Sequence, residues 1–168
     1  MRPIEKARIY AGAAHASVGQ LRKYTFEPYI THPIAVSQIV QQYGGTDDQM
    51  TAALLHDVVE DTGITIEMIR EEFSASVADM VDSLTDISKP EDGSRAIRKG
   101  MDRDHMAEAS IEAQFVKCAD LIHNSASIIE HGGGFAAIYL GEKKLLLDAM
   151  TKVHGTEIHT AAMGLVPA

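Results

Sequence analysis

His56 and Asp57 are adjacent, and Glu60 and Asp61 follow at a spacing of four, so the two pairs sit one helical turn apart on a shared face. An imidazole beside a carboxylate is part of a ligand set for a divalent cation, and carboxylates one turn away are placed for general acid–base work. The flanking Ala52, Ala53, Leu54, Leu55, Val58 and Val59 are apolar, which predicts a helix buried almost all round. Four ionisable groups in such a helix are costly unless they are paired, hydrated or bound to a cation. Two adjacent side chains do not complete a metal site. His32 precedes Pro33 at a predicted helix start, and Asp120 lies in the apolar stretch FVKCADLIHN. Two imidazoles and two carboxylates suit manganese, iron or zinc better than calcium.

These residues require helices to position them, and period-3.6 patterns run through almost the whole chain. The spacing predicts a first helix over 4–20 and a second from Pro33 to about Tyr43, closed by Gly44-Gly45. Asp47 is the expected cap of a third helix carrying MTAALLHDVVED, which Thr62-Gly63 ends. Thr65 opens a short helix, and Ser76 with Asp79 resembles a capping box for the next. Lys89–Gly93 reads as a loop, and 94–108 as a charged helix weakened near Gly100. An apolar helix over 110–130 stops at Gly132-Gly133-Gly134, and a last one covers 135–153. The expectation is an all-α, compact single domain of about eight helices. It spans 1–153, followed by a loosely held tail over 154–168.

Composition narrows the function. The 168 residues fit one ordinary domain, 45% apolar and 23% charged. A net charge of -9 argues against nucleic-acid and anionic-membrane partners, while leaving room for a small anionic substrate in a locally positive cleft. No window reaches the ~20 apolar residues of a membrane span, and the start MRPIEKARIY has no signal-peptide core. Cys118 is the only cysteine, so a reducing, cytoplasmic setting is expected. Cys118 itself reads as a small core residue, and His15 and His123 as packing or supporting residues. His154 and His159 have a spacing poor for chelation, and the triple glycine lacks the lysine of a phosphate loop. Leu145, Leu146 and Leu147 suit a core or an interface, so the expected state is a monomer or small homo-oligomer.

The stretches RKYTFEPYITHP, AALLHDVVEDT and KCADLIHN together resemble the hydrolase half of the Rel/SpoT alarmone enzymes in the HD superfamily. The likeness extends to their free-standing small alarmone hydrolases, including the metazoan SpoT homologue, and covers roughly residues 5–150. It implies an HD-type helical bundle and one Mn²⁺ held by His32, His56, Asp57 and Asp120, with other divalent transition metals as alternatives. It also implies that Glu60 and Asp61 manage the attacking water and the proton transfers. The family's substrate is guanosine 3′,5′-bis(diphosphate) or its pentaphosphate, cleaved at the 3′-pyrophosphate to release pyrophosphate and GDP or GTP. Arg22-Lys23 matches the family's basic pair, the arginine against the purine and the lysine facing phosphate. Asn124 matches an asparagine that contacts ribose or phosphate. Arg95, Arg98 and Lys99 form a second basic cluster within reach of outer phosphates or simply solvated.

Two departures fall around the nucleoside. Tyr24 follows the basic pair where the family has a small or acidic residue, and Ser125-Ala126-Ser127 replaces a stretch that usually carries an arginine. The implied alternatives are a ppApp-type adenosine alarmone, or a phosphatase action on NADPH that releases orthophosphate. A nucleotide-binding module without catalysis is the reading from another class, and it is disfavoured because the four ligands and both carboxylates are all present.

Overall fold

The computed structural model describes residues 1–168, which divide into two compact units, Met1–Thr85 and Asp86–Ala168. Both are helical; the only β feature is an isolated antiparallel bridge between Leu21 and Pro28. There are ten α-helices, and none is long and apolar enough to cross a membrane.

The first unit holds α1 (Pro3–Ser17), α2 (Thr31–Gln42), α3 (Asp47–Leu55), α4 (Val58–Asp61), α5 (Ile66–Glu72) and α6 (Ala75–Leu84). Its centre is α3, which packs against α1, α2 and α6. Small side chains allow that crowding: Ala52 and Ala53 on α3, and Ala7 and Ala11 on α1, are fully buried. The cap of α3 is Thr46 rather than Asp47. Thr46 Oγ accepts from the Gln49 amide at 3.2 Å and the Gln49 side chain accepts from the Thr46 amide at 2.8 Å. Asp47 and Asp48 instead occupy the first turn, where the helix dipole favours them. For the same reason of hydroxyl geometry, Ser74 and not Ser76 caps α6, accepting from the Val77 amide at 3.1 Å.

The helix expected to run through HDVVED is interrupted. It ends at Leu55, passes through a turn at His56-Asp57, and restarts as the single turn α4. The cause is local. The carbonyl of Ala53, the group a continuous helix pairs with the Asp57 amide, accepts the His56 Nδ1–H at 2.7 Å. Burial follows the break: His56 and Val58 are buried, whereas Glu60 and Asp61 are exposed, so the segment is not buried all round.

The second unit holds α7 (Arg95–Glu108), α8 (Ile111–His131), α9 (Phe135–Ala149) and α10 (Glu157–Met163), with 3-10 turns at Pro90–Asp92 and Thr151–Val153. α7 runs unbroken through Gly100. Its last carbonyls are met from two sides, by Gln114 Nε2 on Met106 and Ala107 and by Lys152 Nζ on Glu108 and Ala109. The stretch after 153 is not loosely held. Ile158 is fully buried on α10, which packs against α8 and α9. His154 and His159 both donate Nε2–H to the Leu147 carbonyl at 3.1 Å. This pair fastens the segment and does not chelate. Leu146 and Leu147 are core, and Leu145 is exposed.

Candidate metal and catalytic site

The first unit brings three of the expected ligands together. His32 sits in the first turn of α2 and is fully buried, His56 is 2% exposed, and Asp57 follows it on the turn before α4. One donor atom from each lies within 4.8 Å of the others. His56 Nε2 is 3.1 Å and His32 Nε2 3.7 Å from Asp57 Oδ2. The donor set fits a divalent transition metal. With its Nδ1–H committed to the Ala53 carbonyl, His56 is fixed in the tautomer whose Nε2 lone pair is directed at the cluster. Two imidazoles and a carboxylate converging in a buried place match the nitrogen and oxygen preference of such ions.

Tyr29 is part of this arrangement and was not singled out from sequence. Its hydroxyl donates to Asp57 Oδ2 at 2.6 Å, and its ring packs edge-on to His32, 5.8 Å between centroids. Tyr29 lies inside the FEPYIT stretch, so its position was visible and its role was not.

The loop between α1 and α2 delivers the basic pair. The Arg22 amide donates to the Glu27 carbonyl at 2.8 Å, beside the Leu21–Pro28 bridge, and folds 21–28 back on itself. The Arg22 guanidinium then lies 5.7 Å from the Tyr29 ring centroid. Lys23 Nζ is 5.4 Å from the ring of Tyr24, the residue that departs from the family pattern.

Glu60 and Asp61 close α4. Although Asp61 keeps part of its surface in solvent, desolvation of the rest pushes its carboxyl above its ordinary range, a hydrogen bond from Gln20 works against this, and the Asp57 charge adds to the rise. Asp61 accepts from Gln20 Nε2 at 2.9 Å. Gln20 is the second residue here that carried no signal in the sequence.

In the second unit Asp120 is 4% exposed on α8, where it accepts from Lys117 Nζ at 2.9 Å and Asn124 Nδ2 at 2.8 Å. The i, i+3 and i, i+4 spacings of KCADLIHN account for both bonds. The neighbouring basic residues divide. Arg95 is held by both carboxylate oxygens of Glu142, at 2.7 and 2.9 Å, and lies 5.3 Å from the Phe135 ring centroid. Lys99 meets Asp86 at 3.2 Å and Asp102 at 3.7 Å, while Arg98 is half-buried. A cation not anticipated is Lys143 on α9. Desolvation first, then Lys117 and Lys99 nearby, push its ammonium down to about 8, against the pull of Asp120 and Asp86. Cys118 is fully buried, and burial pushes its thiol up to about 12, as suits a core residue rather than a nucleophile.

A family profile described as "HD domain" matches residues 7–132. The chain is 38% identical over 125 residues to the guanosine-3′,5′-bis(diphosphate) 3′-pyrophosphohydrolase of Haemophilus influenzae, covering 69% of this chain and 17% of that one. It is 39% identical over 102 residues to the enzyme of the same name from Xenopus tropicalis, covering 58% of this chain and 54% of that one. Among solved structures, one described as a metazoan ortholog of SpoT that hydrolyzes ppGpp matches with a TM-score of 0.84 at 26% identity, over 98% of this chain and 94% of that one. The chain thus spans about half the length, or far less, of the curated relatives it matches.

Proposed function

Because the chain belongs to the HD-domain family, we propose that it is a metal-dependent hydrolase that cleaves the 3′-pyrophosphate of guanosine 3′,5′-bis(diphosphate), releasing pyrophosphate and GDP. One observation carries this reading. Nε2 of His32, Nε2 of His56 and a carboxylate oxygen of Asp57 converge in a buried cluster, and two carboxylates follow on the next turn. The relatives' activity supplies the substrate, and in the solved neighbour the likeness runs over nearly the whole of both chains.

His32, His56 and Asp57 would hold the ion, manganese in this proposal, and the KCADLIHN motif assigns Asp120 a ligand's role as well. When bound, a divalent ion lowers the pKa of water and polarises a phosphoryl oxygen. The chain's own groups do the rest. Tyr29 holds Asp57 Oδ2 in place. Asp61, whose carboxyl is displaced upward by partial desolvation, takes up a proton more readily than a fully solvated aspartate does. Glu60, beside it on the same turn, is the partner carboxylate in the acid–base work. Arg22, packed over Tyr29, offers a planar cation to the purine, and Lys23 offers a point charge to phosphate. Asn124, Arg98 and Lys99 are the further substrate contacts proposed; Arg95 joins them only by releasing Glu142.

The deciding experiment supplies Mn²⁺ with guanosine 3′,5′-bis(diphosphate), its adenosine counterpart and NADPH in parallel, and quantifies pyrophosphate and orthophosphate separately. Pyrophosphate from the guanosine compound is the expected outcome. Orthophosphate from NADPH overturns the proposed reaction. Pyrophosphate from the adenosine compound alone keeps the reaction and replaces guanine by adenine in the proposed substrate.

A further inference from the structure

A hydrogen-bonded path reaches Asp61 from the first helix. His15 on α1 is 1% exposed, and its Nδ1 lies 2.8 Å from Gln20 Oε1. Gln20 Nε2 in turn donates to Asp61 Oδ2 at 2.9 Å. An ionised carboxylate only accepts, so Gln20 must turn its amide nitrogen to Asp61 and its carbonyl to His15. His15 therefore carries its hydrogen on Nδ1. Its Nε2 is buried and without a hydrogen-bond partner, in a ring tilted 48° to that of Tyr29 with 4.7 Å between centroids. On α1 the other buried residues are alanines, so this imidazole is the one polar group that the buried face presents, and it is spent on the Gln20 bond and the Tyr29 ring.

The backbone pins Gln20 from both ends. Its amide donates to the His15 carbonyl at 3.1 Å, and its own carbonyl accepts the Tyr29 amide at 3.2 Å. Gly19, at a φ of 64°, supplies the left-handed turn that lets the chain leave α1 and present Gln20. Tyr29 and Gln20 are thus hydrogen-bonded neighbours, and each holds one carboxylate, Asp57 and Asp61 respectively.

We propose that Gln20, oriented by His15, is a positioning residue for the Asp61 carboxylate, an inference that rests on Asp61 having the acid–base role given above. Asp61 needs such a tether. It is exposed, it ends a helix of a single turn, and unrestrained it samples rotamers turned away from the reacting atoms. A displacement of about 1 Å at such a group can lower a rate about 10²-fold.

The test uses the full chain with Mn²⁺ and guanosine 3′,5′-bis(diphosphate), in Gln20→Met, His15→Phe and His15→Gln variants and the Gln20→Met, His15→Phe double variant. Gln20→Met and His15→Phe are expected to lower kcat about 10- to 100-fold with KM little changed. The double variant should be no worse than Gln20→Met, because both changes break one path. His15→Gln, which keeps a donor, should recover most of the rate. Side-chain amide NMR provides a reading that does not depend on turnover. The Gln20 Nε2 protons should exchange slowly in the wild-type chain and lose that protection in Asp61→Ala and in His15→Phe. Wild-type kcat in Gln20→Met, or a loss confined to KM, overturns the proposal, and Gln20→Met decides this even where His15→Phe does not fold. If the wild-type chain cleaves none of the nucleotides, the substrate reading fails. The NMR measurement then decides the tether alone, and Gln20 signals indifferent to Asp61→Ala overturn it.

Discussion

The Tyr29 hydroxyl and the Asp57 carboxylate are joined at 2.6 Å, and the oxygen that accepts this bond is the one nearest both His32 and His56. A hydroxyl bonded to an ionised carboxylate at that separation is a strong, charge-assisted contact, and it fixes which way Asp57 faces. Tyr29→Phe keeps the ring that packs on His32 and removes only this bond. Affinity for Mn²⁺, measured by calorimetry, is expected to fall about 10- to 100-fold, as is usual when a ligand loses its outer hydrogen bond. An unchanged affinity would show that the His56 turn alone orients Asp57.

Ligands and acid–base groups are separable by experiment. Mn²⁺ should raise the melting temperature of the wild-type chain, since an ion that binds only the folded state stabilises it by about 2.7 kcal/mol at a hundred times its Kd. Asp57→Ala should abolish that shift. Glu60→Gln with Asp61→Asn should keep it while turnover falls by about 10²–10⁴-fold. Loss of the thermal shift in this double variant would move Glu60 or Asp61 into the ligand set.

Acid should weaken the second unit through Asp102. This carboxylate is buried, which alone would raise its pKa, yet the amide and hydroxyl of Ser88, the charge of Lys99 and the amide of Ile87 together hold it below its ordinary 3.8. The folded value is depressed, so the stabilisation is complete above the unfolded value and disappears as pH falls through the folded one. Asp102→Asn is expected to cost about 1–3 kcal/mol at neutral pH. In denaturant titrations its difference from wild type should shrink steadily below about pH 4.

Cys118 should be inert to thiol reagents in the folded chain and react only at the rate of global unfolding, because its thiol is fully buried and displaced to about 12. Labelling in native buffer followed by mass measurement checks this. Rapid modification with activity intact would place Cys118 at an opening the folded chain does not show.

Much of the site was legible because its chemistry is written in local spacing. His56, Asp57, Glu60 and Asp61 lie within six residues, and the Lys117–Asp120–Asn124 bonds follow directly from helical periodicity. Caps were legible in kind and not in position: Thr46 and Ser74 do what was expected of Asp47 and Ser76, because neighbouring polar residues compete for one set of free amides. The tail beyond 153 misled for a different reason. Its few apolar residues look too sparse to hold it, but Lys152, His154 and His159 attach it through carbonyls at the ends of α7 and α9. No periodicity records a bond of that kind.

By itself, then, the sequence determined the helical class, the donor types and the order in which they occur along the chain. Tertiary structure decided the rest: that helix α3 breaks at His56-Asp57, that the His56 Nδ1–H turns to Ala53 so that Nε2 faces Asp57, and that Tyr29 and Gln20 each hold a carboxylate. The reason is one of range. Helical pattern and ligand chemistry are properties of residues a few positions apart, whereas the Tyr29–Asp57 and Gln20–Asp61 bonds join residues 28 and 41 positions apart. Such partners meet only once α1, α2 and α3 have packed.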